Sequence, residues 1–65
     1  MNELVVKYLT GSRSELARVA EVRVNYEDLG TALFTEAVRK IRQEGLFRSP
    51  VWYIPPAAII EVREI

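Results

Sequence analysis

A nucleophile or proton relay needs a basic neighbour, and this chain contains neither histidine nor cysteine. The hydroxyls of Ser12, Ser14 and Ser49 sit beside Gly11 and Pro50, in sequence that reads as turn rather than as an activated nucleophile. Carboxylates come close together at Glu27 with Asp28 and at Glu61 with Glu64. General acid–base work by such a pair requires surroundings that drive the two pKa values apart. The first pair instead suits the start of a helix, where negative charge complements the dipole, and the second suits the wet side or frayed end of a strand. Gly11-Ser12-Arg13-Ser14 has the small residues of a phosphate-cradling loop but lacks the Gly-Lys-Ser/Thr ending that completes one. Structural zinc takes Cys and His ligands, and no run of carboxylates has calcium-loop spacing. The residues therefore predict no catalytic site, no metal and no cofactor.

Charge offers one further chemistry. Arg39, Lys40, Arg42 and Arg48 form the densest basic group, with Trp52 and Tyr53 close behind. Such a set could contact phosphates and stack the bases of a single-stranded nucleic acid. Helical spacing supplies the competing account, because Glu36 to Lys40 and Lys40 to Glu44 are i,i+4 pairs of a solvated helix face. Nine Lys and Arg balance nine Asp and Glu, so the chain has no net field to draw in a polyanion. Nucleic-acid binding is accordingly the alternative expectation.

These residues need elements to hold them. Sixty-five residues make a single domain, 1–65, since so short a chain cannot fill two cores. At 49% hydrophobic and 28% charged, the composition is globular. The apolar run Leu4 to Leu9 predicts a first strand. Ala20 to Tyr26 alternates apolar and polar residues and predicts a second, with 14–19 either extending it upstream, the preferred reading, or forming a helical turn. A helix follows, capped by Asn25 and ended by Gly45 in a Schellman motif, with Tyr26, Gly30, Leu33, Phe34, Ala37, Val38 and Ile41 along one side. Gly30, on that side, predicts close approach to a strand. Phe47-Arg48-Ser49-Pro50 reads as a connection. Val51 to Ile54 and Ile59 to Ile65 then predict two strands, separated by Pro55-Pro56 and pairing with one another. The expected fold is α+β: a ββαββ domain, a mostly antiparallel four-stranded sheet with one helix packed on one face.

That arrangement carries the functional expectation. The strands place apolar groups on both faces, and a single helix covers one. The uncovered side, with Val5, Leu9, Val19, Ile59 and whichever of Trp52 and Tyr53 points outward, is expected to be an interface. A chain this small, with no disulfide to staple it, finds its cheapest cover in a second copy, so the predicted state is a homo-oligomer, with a dimer favoured. An exposed edge strand offers another route to the same end. The first seven residues lack the basic segment, apolar stretch and cleavage site of a secretory signal, and no apolar run is long enough for a membrane helix. The expectation is a non-enzymatic cytoplasmic interaction module without membrane contact.

Overall fold

The strand nearest the amino terminus is paired on both sides. In the computed structural model, which describes residues 2–11, 16–49 and 52–65, β1 (Glu3–Thr10) lies between β2 (Arg18–Asn25) and β5 (Ile59–Glu64) in a three-stranded antiparallel sheet of order β2-β1-β5. Its register with β2 runs without a break from Glu3 opposite Asn25 to Thr10 opposite Arg18. With β5 it runs from Leu4 opposite Glu64 to Lys7 opposite Glu61, then slips, so that Tyr8 faces Ile59. Alternation along β1 sends Leu4, Val6 and Tyr8 toward the core and Glu3, Val5, Lys7 and Leu9 to the far side.

The predicted helix is two pieces. Tyr26–Leu29 is a 3-10 turn closed by Gly30, and the α-helix α1 begins only at Phe34 and runs to Glu44. Gly30 adopts φ +71°, ψ 30°, the left-handed conformation that stops a helix, and Thr31 reinforces the break by accepting the Leu33 backbone N–H on its hydroxyl at 3.1 Å. Tyr26 is buried all the same. Its N–H donates to the Asn2 carbonyl at 2.9 Å, so it continues the β1–β2 ladder rather than a helical stripe. A Cβ on Gly30 would meet only the Lys40 Nζ at 3.7 Å, so this glycine is required by its backbone angle and not by a nearby strand.

Gly45 does end α1, with its N–H on the Ile41 carbonyl, but ψ of −167° makes it the hinge into a strand instead of a Schellman cap. The expected connection at Phe47 is strand β3 (Leu46–Ser49), paired antiparallel with β4 (Trp52–Ile54) in a separate two-stranded hairpin. Neither strand joins the larger sheet, so no four-stranded sheet forms among the described residues, and the element order there is β1, β2, α1, β3, β4, β5. The prolines account for the separation. Pro55 is extended, Pro56 opens a 3-10 turn through Ala58, and the chain is handed from the hairpin to the sheet, where β5 pairs with β1 rather than with β4.

One core serves both parts. Leu4, Val6, Val24 and Tyr26 from the sheet side meet Ala37 and Ile41 of α1 and Leu46 and Ile54 of the hairpin. Around them pack Tyr8, Val22, Phe34, Trp52, Ile59 and Val62, with Trp52 edge-on to Tyr8 at 6.2 Å between ring centroids. Among the described residues, no helix is long and apolar enough to cross a membrane.

Candidate interaction surfaces

The far face of the sheet is charged across its middle. Pairing brings Arg23, Val5 and Arg63 into one row and Glu21, Lys7 and Glu61 into the next. Arg63 reaches Oε2 of Glu21 at 3.3 Å and Oε1 of Glu61 at 3.6 Å, tying the two edge strands together over the central one. Val5 is only 9% exposed, in a hollow lined by Glu21, Arg23 and Arg63. Long cationic side chains cover apolar surface in this way with their methylene stems while keeping the charge wet. The uncovered side is thus a charge lattice with aliphatic residues at one end, where Leu9 and Val19 face each other, 45% and 58% exposed.

The residues expected on that side are consequently divided. Val5, Leu9 and Val19 share it. Ile59 does not: the slip between Lys7 and Tyr8 leaves Ile60 without an opposite number, so Ile59 and Val62 both turn to the core although they are three residues apart. Trp52 also packs inward. Tyr53 is the member of the aromatic pair that emerges, on the outer side of the hairpin, where it stacks on Phe47 at 4.3 Å between centroids and donates its hydroxyl to the Glu44 carbonyl at 2.9 Å. Phe47, 68% exposed, is a surface feature hidden from a sequence reading that takes residues 47–50 for a connection. The usable signal is the mirrored order Leu46-Phe47 and Tyr53-Ile54, which places one buried and one exposed apolar residue on each arm.

Of the basic group, Arg39, Lys40 and Arg42 have described side chains, and the three do not all project to one side of α1. On α1, Glu36 takes Arg39 as its bonded partner, with Nη2 to Oε2 at 2.6 Å, and Gln43 accepts from the same guanidinium at 3.3 Å. The hydrogen bond to Arg39, and then its charge, holds the Glu36 carboxyl below its ordinary pKa, while the same contact raises that of Arg39. Lys40 and Arg42 are two residues apart on a helix and so project about 160° from each other. Lys40 borders a shallow hollow with Asp28, Glu44 and Phe47. The Arg48 side chain lies outside the described residues, as do Ser12, Arg13, Ser14 and the side chain of Ser49.

The carboxylate pairs are dispersed too. Glu27 and Asp28 are exposed in the 3-10 turn. Glu61 faces Arg63, whereas Glu64 accepts the hydroxyl of buried Tyr26 at 3.0 Å. Burial foremost, and then the bond to and charge of Glu64, push the Tyr26 hydroxyl above its usual pKa. Among the described residues no three His, Cys, Asp or Glu side chains converge as a metal site.

What the geometry leaves open is the long side of β2. Along this strand no second strand pairs among the described residues. The Tyr26 N–H to Asn2 bond fixes the phase of the ladder: even-numbered residues of β2 aim their backbone groups at β1, and Val19, Glu21, Arg23 and Asn25 aim theirs outward. Comparison of the chain with protein-family models, with curated proteins and with solved structures finds no match.

Proposed function

We propose that this protein is a non-enzymatic assembly module of the cytoplasm that associates with a second copy of itself through the β2 side of its sheet. The observation that carries the proposal is the side of β2 that no strand pairs among the described residues, with its outward N–H and C=O groups, adjoining the exposed pair Leu9 and Val19. An open strand edge is a template for another strand, and a small domain gains most from adding one. The composition supports the location, since a chain without cysteine gains nothing from an oxidising compartment. Association here is favoured over nucleic-acid binding because Arg39 is engaged on its own helix and Lys40 and Arg42 diverge.

Sedimentation equilibrium from low micromolar to high micromolar concentration tests the proposal. The expected result is a mass that rises toward twice that of the chain. A single-chain mass throughout that range rejects it.

A further inference from the structure

Resting on that reading, we infer that the two copies join β2 to β2 antiparallel about a two-fold axis through Val22, making one continuous sheet of order β5-β1-β2-β2-β1-β5. The argument begins with the backbone. Because the outward groups of β2 belong to Val19, Glu21, Arg23 and Asn25, only registers that set odd-numbered residues opposite odd-numbered ones can form a ladder. Within that set the axis passes through a residue of β2, and each choice sets different charges face to face.

Centring on Glu21 brings the two Glu21 carboxylates together, and centring on Arg23 does the same to two guanidiniums. Like charges directly opposite one another oppose pairing. Centring on Val22 sets Glu21 opposite Arg23 of the second copy, and Arg23 opposite its Glu21, so symmetry supplies the favourable pair twice. Arg63 holds Oε2 of Glu21, and the carboxylate has a second oxygen to offer. On the core side the same register places Val22, now half-buried, against its own copy at the closer, non-hydrogen-bonded spacing, with Ala20 opposite Val24.

The other edge carries the same three residue types, Glu61-Val62-Arg63, and is the poorer candidate. β5 has six residues against eight in β2, and its ladder is interrupted at Ile60, a device that discourages strand addition. β2 has no such interruption in its pairing with β1.

Charge reversal tests the register. Glu21→Arg sets cation opposite cation at positions 21 and 23, and Arg23→Glu sets anion opposite anion there, so either variant alone should associate at least about tenfold more weakly than the unaltered chain. Mixed in equal amounts, the two should form a one-to-one heterodimer, since each reversed charge then meets its opposite. In the unaltered protein, amide exchange read by NMR should show Val19, Glu21, Arg23 and Asn25 gaining protection as concentration rises. Those amide data also decide the matter should either variant fail to fold. Dimerisation that ignores both substitutions, or outward amides that stay unprotected in the dimer, overturns the register while leaving self-association standing. A monomer at all concentrations overturns both, and assigns the Glu-Val-Arg pattern to keeping the edge single.

Discussion

The three-stranded sheet and the β3–β4 hairpin bury their apolar sides in the same core yet are held in place differently. Between β1 and β2 the pairing continues over the whole length of both strands without a slip, and β5 adds a second ladder on the other side of β1. Among the described residues the hairpin pairs Leu46 with Ile54, Phe47 with Tyr53 and Ser49 with Trp52, with a slip between Phe47 and Ser49. The sheet's position is therefore shared among many rungs, whereas the hairpin's rests on a few contacts: Leu46 and Ile54 in the core, Trp52 against Tyr8, and the close passage of Gly45 beside β4. Loss of one contact should be absorbed in the sheet and felt throughout the hairpin.

Gly45 offers the harshest test of that difference. It has φ +80°, and a Cβ placed there would strike the Ile54 carbonyl oxygen and lie 2.7 Å from the Tyr53 hydroxyl. Backbone cannot step aside as a flexible side-chain end can, so Gly45→Ala should cost about 3 kcal/mol or more in chemical denaturation. Trp52, the only tryptophan, stands on the hairpin and should shift its emission to the red. Gly30→Ala is the matched control. It also has positive φ but open space around it, so its cost should stay near about 1 kcal/mol and leave Trp52 emission unchanged. Equal losses for the two alanines would show that the hairpin is no more sharply placed than the turn before α1.

The same contrast explains what the sequence could and could not disclose. β2 is legible because apolar–polar alternation is a property of the strand by itself, Ala20, Val22 and Val24 against Glu21, Arg23 and Asn25, and β1 because its apolar run is β-prone. So is the shared face of Val5, Leu9 and Val19. The charge lattice over Val5 is not, since it depends on which residues of β2 and β5 stand beside Val5 and Lys7, and register is a tertiary fact. Ile59 departs from its expected side, and Trp52 is left without one, because slips at Ile60 and between Phe47 and Ser49 change the parity on which alternation relies. The helix is overextended when Tyr26 and Gly30 are counted into its stripe. A buried tyrosine and a glycine fit a helical period as well as they fit a ladder end and a left-handed stop.

An intermediate effect is expected where the sheet closes on itself through side chains. Tyr26, at the end of β2, donates its hydroxyl to Glu64 at the end of β5, and Phe34 of α1 lies 6.3 Å away between centroids. Tyr26→Phe keeps the ring and should lower Tm by only a few degrees, because the ladders on both sides of β1 remain. The pH dependence has a definite sign. The folded hydroxyl holds its proton more tightly than the ordinary value of 10.0, so its contribution is complete below that pH and is lost as pH rises through the higher folded pKa. Above about pH 10 the unaltered protein should lose Tm more steeply than the Tyr26→Phe variant, in proportion to this one group. Parallel curves would remove Tyr26 from the account of alkaline stability.

The smallest effect should come from the most conspicuous side chain. Phe47 is 68% exposed, and its stacking on Tyr53 adds little burial to a hairpin already fixed through Leu46 and Ile54 on the other face. Phe47→Ser should therefore change stability by less than about 0.5 kcal/mol, the ordinary scale for surface substitutions. It should also leave self-association intact if β2 pairing is the contact, because Phe47 is on the hairpin and meets β2 only at the hollow it shares with Val24. Thermal unfolding and sedimentation of the same sample read both. A loss of association with stability unchanged would move the interface from the sheet edge to the Phe47–Tyr53 face, where the contact would be aromatic and insensitive to charge reversal at Glu21 and Arg23. A loss of stability alone would mean that this stacked pair, more than the buried pair Leu46 and Ile54, holds the hairpin in place.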